Sequence, residues 1–211
     1  MKDYWNKRFK EEGTIWSNNP SQSSLFANKK FKDYLVNNIL ILGIGYGRNA
    51  RPFIENGYSV SGIEIADEAI KILNSSDLKN KIEKIYQGSL LDIPFDNNRY
   101  DAIFSFNVIH LFGEFDRIRI IEKSKSILNK NGLIFFTAMS ELDNDFGKGD
   151  EIEHNTFDNK GKPVHFFNDS DIREHFKDFD LIETGLINEP EKHGDIGNHI
   201  HKCRYIFAKL K

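Results

Sequence analysis

The stretch "NILILGIGYGRNA", residues 38–50, limits the fold of this chain more than any other segment. After Asn38 its first residues are apolar without alternation. A strand buried on one face alternates apolar and polar residues, whereas a parallel strand covered on both faces does not. The run therefore reads as a central parallel strand. Gly43, Gly45 and Gly47 follow it, each separated by one residue. Small residues at a strand's carboxyl end let the backbone approach a ligand beside a helix N-terminus. A second apolar run, "YSVSGIE", ends at the acidic Glu64.

The rest of the chain continues the alternation. Tyr4, Trp5, Arg8 and Phe9 have helical spacing, which predicts a short helix over 2–12. A second helix is predicted from Ser24 to Val36, capped by Ser23 or Ser24. "RNARPFIENG" reads as a helix closed by Gly57, "ADEAIKILNSS" as a helix, and "IEKIYQG" and "YDAIFSFN" as strands. "EFDRIRIIEKSKSILNKNG" reads as one long helix ending at Gly132, followed by the strand "LIFFTAMS". After Ser140 comes a long polar, glycine-containing segment, then a short helix "NDSDIREHF" capped by Asn168 or Ser170. Two final strands, "DFDLIETGLI" and "KCRYIFAKL", are too close in sequence for a crossover helix and predict an antiparallel hairpin. Alternating strands and helices imply a doubly wound, mostly parallel α/β sheet. The expected organisation is a single domain over 1–211. It comprises an N-terminal helical lid (1–36), a core (37–140), a cover over the site (141–167), and a helix with the closing hairpin (168–211).

Composition excludes several functions. The formal net charge is −3, which disfavours nucleic acid as a partner. The single cysteine, Cys203, rules out an internal disulfide or a cysteine-based metal cluster. It lies in a strand-like segment and reads as a core residue. The N-terminus is too charged for a signal peptide and the apolar runs are too short to cross a membrane. A cytoplasmic location without membrane contact is the expectation.

The glycine spacing is G-x-G-x-G, with Arg48 where the dinucleotide fingerprint G-x-G-x-x-G has its third glycine. A carboxylate such as Glu64 at the end of the next strand can accept both ribose hydroxyls. Together these features point to a nucleoside ligand. The segment 37–140 resembles the cofactor region of class I S-adenosylmethionine (SAM)-dependent methyltransferases, with a seven-stranded Rossmann-like sheet. "QGSLLDIPFDNNRYDAIFSFNVIHLF" is similar to their adenine loop and fourth-strand motifs. "GRNA" with the N-terminal "YW…RF…G…IW" looks most like the small-molecule branch that includes tellurite-resistance and thiopurine methyltransferases. The resemblance implies SAM as cofactor, S-adenosylhomocysteine as product, and a cofactor site at Gly43, Gly45, Gly47, Glu64, Ile65, Ser89, Leu90 and Asn107. Two positions depart from the pattern: Ile41 and Ser89 stand where the family often has acids, and Asp92 is near the second position without matching it.

In such sheets the ligand lies beyond the carboxyl ends of the parallel strands. That edge gathers His110, His154, His165, His193, His199 and His201, while His175 reads as a helix-surface residue. His154, His165, His193, His199 and His201 are the candidate substrate-binding residues. His110, just after the fourth strand, is the candidate catalytic residue, since histidine can take a proton near neutral pH. Support for the loop is the alternative role for His110. His193, His199 and His201 with Glu151 or Glu153 could make a His/carboxylate metal set, but no helical metal motif supports one. They read as polar pocket walls, and no metal is expected. Arg48 reads as a structural residue pairing with a carboxylate or a loop carbonyl, and Arg204 as a residue on a polar strand face.

The implied function is methyl transfer from SAM to a small-molecule acceptor. "FNVIHL" lacks the Asn/Asp-Pro-Pro-aromatic signature of DNA amino-methyltransferases, and there is no Pro-Cys nucleophile. The alternatives are a SAM-binding regulator without catalysis and a nucleotide-dependent oxidoreductase. The acceptor atom and the oligomeric state are not legible in the sequence.

Overall fold

A computed structural model describes residues 1–94, 96–193 and 197–211, with the side chain of His193 excepted. The element order is α1 (Lys2–Glu12), α2 (Gln22–Phe31), β1 (Asn38–Leu42), α3 (Arg51–Glu55), β2 (Ser59–Glu64), α4 (Asp67–Asn74), β3 (Lys84–Gln87) and β4 (Tyr100–Phe106). It continues with α5 (Glu114–Ser126), β5 (Leu128–Met139), β6 (Glu151–Glu153), β7 (Thr156–Asp158), β8 (Pro163–His165), α6 (Asp169–His175), β9 (Phe179–His193) and β10 (Gly197–Leu210). Short 3-10 turns follow β3 at Leu90–Asp92 and β4 at Ile109–Leu111.

Seven strands form one sheet in the order β3-β2-β1-β4-β5-β10-β9. β10 runs antiparallel to both β5 and β9, as the sequence reading of a closing hairpin expects. The unalternated β1 run has its physical reason in the core. Leu40 and Leu42 pack on one face with Ile120 and Ile121 of α5 and Ile172 of α6. Ile39 and Ile41 pack on the other with Phe31 of α2, Phe53 of α3 and Leu73 of α4. Successive strand side chains alternate faces, and here both faces are covered. Among the described residues no helix is long and apolar enough to cross a membrane.

Four local expectations change. The α2 cap is Ser21, whose Oγ accepts from Ser24 N–H at 3.1 Å. Ser23 instead donates from both its N–H and its Oγ–H to Glu189 of β9. The same helix stops at Phe31, and Leu35, 98 % exposed, takes no part in the core. α5 ends at Ser126 rather than Gly132, because Leu128 is buried as a strand residue opposite Tyr100 and an irregularity between Tyr100 and Ala102 absorbs the following polar residues. The polar segment 141–165, read as a loop, contains the antiparallel sheet β6-β7-β8. Phe146, Phe157 and Phe166 pack edge to face there, with ring centroids 5.4–5.9 Å apart.

Candidate active site

The carboxyl ends of the parallel strands open into a cavity of about 1040 Å³. Gly43 and Gly45 line it, both with positive φ (69° and 58°). At Gly43 an added Cβ would lie 2.6 Å from Val108 Cγ2, so the position admits no side chain. At Gly45 an added Cβ would meet only Phe9 Cζ, at 4.0 Å. Gly47 is different. Its added Cβ would meet Leu78 and Leu73, and it does not line the cavity. Its role is the turn and the close packing on α4, a correction to its place among the cofactor-binding candidates.

Glu64 is buried at the end of β2 and lines the cavity. Its Oε2 accepts from Gly45 N–H and its Oε1 from Ala66 N–H, both at 2.8 Å. Burial raises its pKa, and the backbone hydrogen bonds from Ala66, Gly45 and Ile65 oppose that. Ile65, Ser89, Leu90 and Asn107 line the same cavity. Ser89 caps the 3-10 turn: its Oγ accepts from Leu91 N–H while its own N–H donates to Asp92 Oδ2, each at 3.2 Å. Asp92, the acid displaced from its usual place, is therefore spent on capping. Asn107 holds a positive φ of 51° and donates to Cys203 Sγ at 3.2 Å, while its buried Oδ1 has no hydrogen-bond partner among the described residues. Cys203 is a core thiol whose pKa is pushed up by burial.

His110 lines the cavity from the turn after β4 and is 6 % exposed. Burial, with smaller effects from His201, His165 and Lys162, pushes its pKa down to about 3. The imidazole is therefore neutral at physiological pH. Its buried Nδ1 has no partner among the described residues. His199 and His201 on β10 also line the cavity.

The other candidate histidines do not converge there. His154 is exposed in the turn between β6 and β7. His165 is buried and engaged on both nitrogens, Nδ1 with Thr156 Oγ1 at 2.8 Å and Nε2 with Asp171. His175, read as a surface residue, packs its side chain on the same Asp171, with Nδ1 2.9 Å from Oδ1. The side chain of His193 lies outside the described residues. Glu151 and Glu153 are also elsewhere, Glu151 accepting from Asn155 N–H and Glu153 from Glu114 N–H, each at 2.9 Å. Arg204 is buried, not on a polar face, and pairs with Glu141 at 2.9 Å.

Sequence reasoning missed Tyr46 and Glu191, which help tie the N-terminal segment to the site. Trp5, Phe9, Trp16 and Tyr46 form an aromatic cluster. The Tyr46 hydroxyl donates to Ser17 O at 2.6 Å. Arg48 donates to Trp16 O at 2.9 Å and pairs with Glu191 of β9 at 3.3 Å, the carbonyl and carboxylate its sequence context suggested. Glu191 itself had a signal, since it lies across the hairpin from His199. A hairpin register built outward from the turn would have found it.

These residues fit a nucleoside amino acid. Gly45 leaves open space beside the loop backbone, Glu64 places a buried carboxylate at the end of β2, and Ile65, Ser89, Leu90 and Asn107 line the same cavity. Residues 40–136 match the methyltransferase domain family. That match and the strand order are those of a class I SAM-dependent methyltransferase domain over residues 40–136. A sarcosine/dimethylglycine N-methyltransferase from Aphanothece halophytica is 31 % identical over 111 residues, 50 % of this chain and 39 % of that protein. The chain thus spans about two fifths of that curated relative. In fold it is similar to magnesium protoporphyrin IX methyltransferase (ChlM) from Synechocystis PCC 6803 with bound S-adenosylhomocysteine. That structure has TM-score 0.74 and 13 % identity, covering 100 % of this chain and 97 % of that one. TehB from Haemophilus influenzae is similar too, with TM-score 0.68 and 20 % identity, covering 100 % and 67 %.

Proposed function

We propose that this protein transfers the methyl group of SAM to a small-molecule acceptor. The observation that carries the reading is one shared cavity. The glycine loop, Glu64 and Leu90 on one side and His110, His199 and His201 on the other line the same space of about 1040 Å³. Sites for single small ligands occupy roughly 300–1,000 Å³, so there is room for a nucleoside cofactor and a compact acceptor. Within the cavity lining, Lys162 Nζ sits 4.0 Å from the Tyr4 ring centroid, joining α1 to the segment before β8. That closure suits a small molecule better than a polymer.

Bound SAM supplies an electrophilic methyl group on a sulfonium. The acceptor's lone pair would take that methyl group as the carbon–sulfur bond breaks, with S-adenosylhomocysteine as the other product. The protein's task is mainly alignment. Glu64 holds the ribose and, through Gly45, the loop. His110, with His199 and His201, lines the acceptor side of the cavity. The low pKa of His110 suits it to orienting an acceptor N–H or O–H rather than storing its proton. The amine specificity in the name of the A. halophytica relative makes small amines the first acceptors to try.

Calorimetric titration with SAM, followed by a methyl-transfer assay on a panel of small amines, thiols and hydroxy acids beginning with sarcosine and dimethylglycine, tests the proposal. SAM binding with turnover of one member supports it. SAM binding without transfer to any member favours a regulator. Binding of NAD but not SAM sinks the reading.

A further inference from the structure

Three cavity-lining side chains come from the closing hairpin rather than from the glycine loop or β2. β9 and β10 pair with Glu191 opposite His199 and Glu189 opposite His201. Cross-strand partners and residues two apart share one face of a sheet. Glu191, His199 and His201 therefore form a triangle, and one ligand atom from each lies within 4.8 Å of the others. Glu189 is withdrawn from this set because its carboxylate accepts from Ser23 and Gln22 at the start of α2.

The hydrogen bonds behind the two imidazoles fix how they face each other. His199 Nδ1 is 2.9 Å from the carbonyl oxygen of Gly197, which can only accept. His201 Nδ1 is 3.2 Å from Asp143 Oδ2, a carboxylate oxygen that also accepts from Lys202 N–H at 2.7 Å. Each Nδ1 thus carries a hydrogen, and a neutral imidazole has only one. Both Nε2 atoms then present lone pairs, and they lie 3.1 Å apart. Two lone pairs at that distance repel, and a cation placed against both removes the repulsion.

A proton on one ring would serve, but the surroundings suit a metal ion. Two nitrogens bound at about 2.0–2.1 Å to one tetrahedral ion lie roughly 3.3 Å apart, close to the separation found. Glu191 adds a negative charge at the third corner. It also pairs with Arg48, and a carboxylate has about four acceptor positions to divide between the two. Asp143 is the carboxylate behind a ligating histidine that orients its ring and raises its basicity.

We propose that Glu191, His199 and His201 bind a divalent transition-metal ion of the kind that favours imidazole and carboxylate ligands, with Asp143 as a positioning residue and a remaining coordination position open to the cavity. That position would take an oxygen, nitrogen or sulfur of the acceptor. This last role rests on the methyl-transfer reading, whereas metal binding does not.

Metal-stripped full-length protein is titrated with Co2+ by visible absorption and with Zn2+ by calorimetry, in the absence of SAM. The expected result is about one ion per chain and the d–d bands of a low-coordinate cobalt ion. His199→Ala and Glu191→Gln should each weaken binding at least 100-fold. Asp143→Asn should weaken it about 10- to 100-fold, and His154→Ala, on an exposed turn, should not. Circular dichroism of each variant confirms folding, and Glu191→Gln carries the test if a histidine variant does not fold. A SAM titration of the same samples should be unchanged by His199→Ala, so the two readings fail separately. Wild-type protein that takes up no Co2+, or takes it up equally well as His199→Ala, overturns the proposal. The Nε2 pair then holds a proton.

Discussion

Glu64 and Gly45 are joined directly: the carboxylate Oε2 accepts the Gly45 N–H at 2.8 Å, while Oε1 accepts Ala66 N–H at the same distance. The acid at the end of β2 thus shapes the glycine loop as well as facing the cavity. A glutamine there has one oxygen, so its amide NH2 must oppose one of the two N–H groups. Leaving such a buried donor unsatisfied costs about 1–3 kcal/mol, before any loss of ribose contact. Glu64→Gln should weaken SAM binding at least roughly tenfold, read by calorimetry, and lower the unfolding midpoint. Wild-type SAM affinity in this variant would remove Glu64 from the site.

Gly45 is the sharper probe of cofactor placement. Its φ of 58° strains any side chain, but the space around it is open except for Phe9 Cζ at 4.0 Å. Gly45→Ala should therefore cost about 1–2 kcal/mol of stability and leave a folded protein. SAM affinity should fall more than tenfold, because the new methyl points where the cofactor backbone must pass. Gly47→Ala should reverse the balance, since its Cβ would meet Leu78 Cδ1 at 2.9 Å on the α4 side. There stability drops more than affinity. Thermal unfolding and SAM titration on both variants check the contrast.

This contrast also shows what a sequence can reveal. The three glycines, the apolar β1 run and the acid at Glu64 are local signals. They led correctly to a doubly wound sheet, and two of the three loop glycines line the cavity. What Gly47 faces depends on where α4 packs, which spacing does not encode. The same limit explains α5: "SILNKNG" continues a helical pattern, and only the pairing of Leu128 with Tyr100 ends the helix at Ser126. Strands of three residues, as in β6 to β8, are shorter than any window in which period two is distinguishable. Of the histidines expected at one edge, His110, His199 and His201 line the cavity, while His154 and His165 do not. Which ones face the cavity was settled by partners on neighbouring elements, such as Asp171 of α6 for His165 and Glu191 of β9 for His199.

His165 should behave as a structural residue. It bridges Thr156 of β7, in a buried contact, and Asp171 of α6, in a half-buried one. His165→Ala leaves a buried hydroxyl and a carboxylate short of partners. A loss of about 2–4 kcal/mol in urea unfolding is expected, with SAM affinity within a factor of two or so of wild type. A variant that keeps its stability but loses activity would place His165 in the chemistry instead.

His110 makes acid stability a measurable signature. Its folded pKa, about 3, lies below the ordinary value of 6.5, with burial as the largest cause. The unfolded chain therefore binds this proton first as pH falls. The contribution is whole above pH 6.5 and is lost as pH drops toward 3, at up to about 1.4 kcal/mol per pH unit. Between pH 7 and pH 5 wild-type protein should lose about 2 kcal/mol more than His110→Gln, which has no such proton to gain. Paired urea titrations at the two pH values measure the difference. Equal losses would mean that His110 is solvated and charges in the folded state.

The contact between Lys162 and Tyr4 is the place to test whether α1 closes over a bound acceptor. Lys162 Nζ lies 4.0 Å from the Tyr4 ring centroid and 5.9 Å from that of Trp5. Such cation–π contacts are worth about 0.5–1 kcal/mol at exposed sites and about 2 when desolvated. The two elements are otherwise held differently: α1 packs by Phe9 on Tyr46 and by Trp5 on Trp16, and β8 by Val164 on the cluster around Phe166. Lys162→Met removes the charge while keeping an apolar stem, so neither element should come loose from its own support. If closure over the acceptor depends on this contact, KM for the acceptor rises roughly 2- to 30-fold while SAM affinity and the unfolding midpoint stay near wild type. An unchanged KM would mean that α1 is fixed by its aromatic cluster alone and that the acceptor enters without opening this contact.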